Sequence, residues 1–254
     1  MAQTSQGSGA FTLETLQVNA DRASQPELFT PSNSGASFSS ALLNGSTIAI
    51  DDLSETLARY PGYSAFRSTP SRAAHPTTQG IRLRNLGINA TSRTIVTLDG
   101  VPQNDPFGAW VYWQRYNPST LSSIEIRPSS GSEAWGNFGT GGRISLKSLS
   151  SHENRLHTKL TLGTDGKRAV AFSSNSSLAP GLSINLSALA AETDGFHPLS
   201  PDQQGSVDRK ANSEVSSYQG RLNYAPNELW SISIKADTYE EDRVNGTALG
   251  LNGT

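Results

Sequence analysis

The residues of this chain best suited to chemistry are aromatic rings interleaved with cations. Phe66, Arg67, Arg72 and His75 stand between Ser64 and Gln79, and Asp105, Phe107, Trp110, Tyr112 and Trp113 stand between Gln103 and Trp113. The second stretch is far richer in aromatic rings than the chain average of 7%. Aromatic faces beside a few cationic donors hold a ligand by stacking and charge, or a sugar by CH–π contact. Trp110 and Trp113 can equally serve packing. Catalytic constellations are absent. His152-Glu153 and His157 put two histidines five apart, where a zinc-protease helix needs four, and the segment alternates like a strand. No G-x-S-x-G occurs, and four histidines without a single cysteine make no convincing metal cluster, disulfide framework or thiol nucleophile. No catalytic residue, metal ligand or cofactor is therefore assigned.

These residues sit in a chain of 254 whose hydrophobic share is 35% and charged share 17%. Globular chains average roughly 45–50% apolar with Gly counted in, and roughly 25% charged. Ser, Thr and Asn are abundant here and Gly numbers 23, a β-rich, turn-rich composition rather than a helical bundle. A net charge of −2 without a basic patch argues against a nucleic-acid partner. No run of 18 apolar residues predicts a spanning helix. Met1-Ala2-Gln3-Thr4 opens no signal peptide, which at face value means cytoplasm; the remainder argues for another compartment, so the true beginning is expected to lie upstream.

Residues 1–45 read as a flexible leader, interrupted by the alternating island Phe11 to Val18. That island is either residual local structure or a peptide that adds to a partner's sheet edge. Residues 46–148 read as a small α+β domain. Asp51 or Asp52 caps a short helix carrying Leu53 and Leu57, Pro118 opens another, and strands fall at Ile81–Arg84, Arg93–Leu98, Ile124–Arg127 and Arg143–Lys147. From 149 to 254 the texture changes to about five strands with one apolar face each. Leu156, Leu160 and Leu162 begin the series; Val170 and Phe172, Leu182 to Ala188, and Tyr218 to Tyr224 continue it, and Trp230 to Ala236 close it. A soluble sandwich alternates in the same way. Tight turns at Ala179-Pro180-Gly181 and Ala225-Pro226-Asn227, with long polar loops at Thr193–Asn212 and from Glu240 onward, favour a membrane barrel instead.

Four blocks carry a resemblance. Ile81-Arg-Leu-Arg-Asn-Leu-Gly87, Arg93-Thr-Ile-Val-Thr-Leu-Asp-Gly-Val-Pro102, Asn104-Asp-Pro-Phe-Gly108, and the run from Ser123 to Gly142 resemble the plug of TonB-dependent outer-membrane receptors. Asn85 and Pro128 depart from that pattern, both compatible with turns. Asp194 to Pro201 and Asn245-Gly-Thr247 look like early extracellular loops, and Glu14-Thr15-Leu16-Gln17-Val18 looks like a TonB box. The resemblance implies a plug followed by the opening strands, about five of an expected 22, of an incomplete transmembrane β-barrel, hence an N-terminal fragment. It also implies the periplasmic TonB protein and outer-membrane lipid as partners, bacterial outer-membrane localisation, and energy-coupled uptake of a scarce nutrient: a siderophore, metal chelate, cobalamin or oligosaccharide. The Ile81 and Arg93 strands read as a hairpin with its tip at Asn89-Ala90, and family topology points that tip toward the periplasm. The two aromatic–cationic stretches then face outward as ligand-binding apices. Arg82, Arg84, Arg93, Asp99 and Glu125 read as intraplug or plug–barrel ion pairs. A secreted or surface β-protein for adhesion or glycan binding is the alternative.

Overall fold

The structure, a computed structural model, describes residues 30–32, 35–39, 52–60, 62–65, 71, 80–83, 93–128, 136–149, 154–227 and 229–247. In the first half Asp52 caps helix α1 (Leu53–Leu57), its Oδ1 accepting from the Ser54 N–H at 2.8 Å. Leu53 and Leu57 lie four apart on one helical face and are fully buried. They join Ile81, Leu83, Val96, Ile124, Ile126, Ile144 and Leu146 in a single core cluster.

The main sheet runs in the order β1 (Thr30–Ser32), β2 (Gly35–Ser39), β7 (Leu121–Arg127), β8 (Gly142–Ser148), β5 (Thr94–Leu98) and β6 (Val101–Pro102). Only β5 and β8 pair in parallel. The run Thr-Ile-Val-Thr-Leu of β5 is buried along its whole length, as a strand covered on both faces should be. Residues 30–39 lie within the segment read as a leader, yet they add two strands to this sheet, with Ala36 opposite Ile126 and Ser39 opposite Ser123.

One expectation needs correcting. Strand β4 (Ile81–Leu83) pairs with β3 (Tyr63–Ala65) and not with the strand at Thr94–Leu98. Both edges of β5 are already taken. Asp99 and Gly100, at φ 51° and 85°, turn the chain tightly into β6 on one side, while β8 holds the other. The expected tip at Asn89-Ala90 lies outside the described residues.

The second half is an antiparallel meander of neighbours: β9 (Arg155–Leu162), β10 (Arg168–Ala179), β11 (Leu182–Phe196), β12 (Ala211–Asn227) and β13 (Trp230–Asn245). Among the described residues the sheet is not closed, and β9 and β13 are its edges. Its two faces are inverted relative to a soluble protein. Leu160 is 67% exposed, and Val170, Leu186, Leu222, Ile232 and Ile234 stand outward with it. The opposite face turns Ser173, Asn175, Ser183, Ser213 and Ser217 inward, and these are buried. Burying a Leu or Ile side chain is worth about 1.5–3 kcal/mol, so a face built this way has lower free energy against hydrocarbon than against water.

The register aligns this apolar face into rows, among them Leu182–Tyr224–Ile232 and Ile184–Leu222–Ile234. Along β12 the band ends near Glu214, ten residues from Tyr224. Ten residues span about 33 Å along a strand, and about 23 Å in height at a ~45° tilt, close to the ~25 Å apolar band of a membrane barrel.

The strands also outrun their expected ends. The loop expected over Thr193–Asn212 narrows to residues 197–210, because pairing resumes at Phe196–Ala211 past a bulge, and β13 continues through Glu240 to Asn245. Polar residues alternating with polar residues leave no hydropathy signal, so pattern alone ends a strand where its apolar face ends. Beyond the strands Thr247 Oγ1 accepts from the Arg209 N–H at 2.7 Å and donates to the Val207 carbonyl at 2.8 Å, which docks two loops against each other.

Candidate functional site: the plug apex and its seam with the strand wall

The second aromatic stretch is a loop stitched shut by two side chains. Asn104 Oδ1 accepts from the Val96 N–H at 2.7 Å, and its Nδ2 donates to the carbonyls of Thr94 and Ala109 at 3.1 and 3.0 Å. Asp105 Oδ1 accepts from the N–H groups of Phe107 and Gly108, both at 2.9 Å. This carboxylate is a turn-former first. Ala109 sits at φ 57°, held by its own N–H bond to the Asp105 carbonyl at 2.9 Å. The Trp110 ring lies directly over Gly108, where a Cβ would come within 1.5 Å of it. Trp110 Nε1 is buried and makes no hydrogen bond among the described residues.

The five residues singled out here divide. Phe107 stands at the tip, 94% exposed. Trp110 is half-buried beside it, and the Tyr112 ring meets Tyr239 of β13, centroids 6.1 Å apart at 54°. Trp113 is 2% exposed in the plug core, tilted against Tyr116, so it offers no surface to a ligand. Phe66, Arg67, Arg72 and His75 lie outside the described residues, as do Glu14, Thr15, Leu16, Gln17 and Val18.

Below the apex the plug is joined to the inner face of the strands by polar contacts that sequence reasoning did not single out. Asn117 caps a 3-10 turn (Pro118–Thr120), its Oδ1 accepting from Ser119 N–H at 3.0 Å. Its Nδ2 donates outward to the carbonyls of Phe172 on β10 and Ala188 on β11, at 3.1 and 3.4 Å. Ser119 bonds Ser173 at 2.9 Å, and Ser217 donates to the Arg115 carbonyl at 2.9 Å. Arg115 pairs with Asp237, and Arg221 reaches Asp99 Oδ2 at 2.9 Å, where Ser148 also binds. Asp99 thus joins plug to wall, and Glu125 pairs within the plug with Arg127, both as expected. Arg82 donates to Ser64 Oγ at 3.4 Å. Arg84 lies outside the described residues. Burial pushes the Tyr116 phenol well above its ordinary range, and its hydroxyl donates to Gln103 Oε1 at 2.9 Å.

A small α+β domain whose polar flank is bonded to the polar face of an outward-greasy sheet is a barrel plug against its barrel wall. Residues 33–143 match the family model of the TonB-dependent Receptor Plug Domain. The strands that follow match the N-terminal part of the barrels of such receptors. A ferric enterobactin receptor from Pseudomonas aeruginosa, solved with enterobactin, superposes with a TM-score of 0.62 at 14% identity over 84% of this chain and 34% of its own. The siderophore receptor PirA from Acinetobacter baumannii gives 0.60 at 15% over 84% and 32%. The unliganded ferric citrate transporter FecA gives 0.53 at 14% over 75% and 28%. At such identities the likeness is one of fold. The chain spans about a third of the length of these solved receptors. No curated protein matches it.

Proposed function

We propose that this chain supplies the plug and leading strands of an outer-membrane receptor that takes up a scarce nutrient with energy delivered by the TonB protein. The observation that carries the reading is the inverted wall: apolar residues outward along β9–β13, and serines, asparagines and arginines turned in against a plug. A secreted adhesin or glycan-binding sandwich would bury that apolar face against a second sheet. Phe107, Trp110 and Tyr112, with Asp105 shaping their turn, form one ligand-facing apex. Phe66, Arg67, Arg72 and His75 supply the other. Rings and cations at such an apex suit an anionic metal chelate, and the neighbouring folds are siderophore and ferric citrate receptors.

Residues 14–18 serve as the TonB box, bound by strand addition, where backbone hydrogen bonds carry the affinity. A proline removes one donor and fixes φ. Leu16→Pro in the full receptor is therefore expected to abolish uptake of the radiolabelled nutrient while cell-surface binding persists. Equal loss of both would count against the assignment.

A further inference from the structure

We infer that Tyr239, Glu241 and Arg243, on the inner face of β13, are positioning residues that hold the two ligand-facing segments of the plug at a fixed separation. The inference rests on the receptor reading above. The three lie at alternate positions of one strand and so share a face. Arg243 Nε donates to Glu241 Oε1 at 2.7 Å, and the same guanidinium donates to the Ser71 carbonyl at 2.9 Å. Ser71 belongs to the first apex segment, where its hydroxyl is also bound to the helix-capping Asp52. Glu241 Oε2 accepts the Tyr239 hydroxyl, and the Tyr239 ring packs on Tyr112 of the second apex segment. A continuous path of contacts thus runs from Ser71 to Tyr112 along the side of one strand.

Burial marks this group off from the rest of the seam. The Arg243 and Glu241 side chains are 8% and 9% exposed, whereas Arg115 and Asp237 keep 36% and 24%, and Arg221 and Asp99 keep 22% and 29%. Taking two charges out of water is costly, so a pair this buried is a poor device for simple adhesion, which the half-wet pairs already supply. It is a good device for geometry. A strand is stiff, its residues 239 and 243 sit about 13 Å apart, and a planar guanidinium holds a carboxylate and a carbonyl at fixed angles, which the rotatable donors of an ammonium on a flexible stem do not.

These 254 residues contain no cysteine, so once any cysteine in the remainder of the full receptor is replaced by serine, Phe107→Cys at this exposed position can carry a nitroxide label in the receptor reconstituted in lipid vesicles. In the Arg243→Lys variant the charge survives but the rigid fork that fixes both contacts does not, and label motion is expected to quicken by roughly twofold or more. Tyr239→Phe keeps the ring contact, loses the link to Glu241, and should give a smaller change of the same sign. Arg221→Gln, which breaks a different plug–wall pair, should leave the label unmoved. Unaltered motion in both β13 variants, or an equal response to Arg221→Gln, overturns the inference. Should Arg243→Lys not fold, Tyr239→Phe alone decides. A parent protein that never forms a heat-modifiable barrel overturns the receptor reading and the inference together; a folded parent with an unmoved label overturns the inference alone.

Discussion

Asn117 gives the sharpest perturbation of the plug–wall seam, because its two ends do different jobs. The carbonyl end caps the Pro118–Thr120 turn, and the amide end reaches the Phe172 and Ala188 carbonyls across the seam. The residue is 6% exposed, so water replaces neither set of bonds well. Losing a cap costs about 1 kcal/mol. Each donated bond is worth about 0.5–1.5 kcal/mol, and the longer one, at 3.4 Å, belongs at the low end. Asn117→Ala should therefore destabilise the plug by about 2–3 kcal/mol. Asn117→Ser retains a capping oxygen and should lose only the wall part, about 1–2 kcal/mol. Asn117→Asp also retains the cap but sets a carboxylate against two carbonyls, so it should be less stable than the serine variant. Urea unfolding of the detergent-solubilised receptor, followed by tryptophan fluorescence, ranks the three. An aspartate variant as stable as the parent would refute the donor assignment on which the seam depends.

Three further outcomes follow from the same geometry. Leu222→Arg places a guanidinium on the outward face within the apolar band, and should lower folding stability in vesicles by about 2–4 kcal/mol if it meets the bilayer midplane, read as a shift in the urea midpoint. Gly195→Ala forces a side chain onto a residue at φ 66° whose Cβ would lie 1.4 Å from the Ala211 carbonyl oxygen, so hydrogen exchange should quicken at the Thr193–Phe196 bulge. Burial raises the phenols of Tyr63 and Tyr116 above their ordinary value of 10.0, with Asp52 adding to the rise at Tyr63. The folded state then keeps protons that the unfolded chain releases, so their contribution is fully present below pH 10.0 and is lost as pH rises beyond it. Tyr116→Phe should flatten that alkaline decline in a pH series of unfolding midpoints.

What could be read from the sequence was what repeats or is local. Leu156, Leu160 and Leu162, then Leu222, Ile232 and Ile234, announce a period of two, and the Asp52 cap and the Pro118 turn are written in consecutive residues. The identity of strand partners was less legible. The placement of β4 against β3 depends on which edges of β5 remain free, a property of the assembled sheet. Trp110 and Trp113 are the same residue type three positions apart, and only packing makes one a half-buried loop ring and the other core. The seam was hidden for a different reason. Asn117 meets residues 55 and 71 positions away, and Arg243 meets one 172 positions away, with nothing local to mark either.

The most direct test of the account concerns which solvent each face of β12 meets. Nitroxides placed one at a time from Ser216 to Tyr224, in receptor reconstituted in bilayers, report collisions with oxygen dissolved in lipid and with a water-soluble nickel complex. The account predicts strong oxygen access at Ser216, Tyr218, Gly220, Leu222 and Tyr224, and low access at Ser217, Gln219, Arg221 and Asn223, which turn to the inner face, with the plug bonded at Ser217 and Arg221. Shielding of the first set from both reagents, as in a closed water-soluble core, would contradict it.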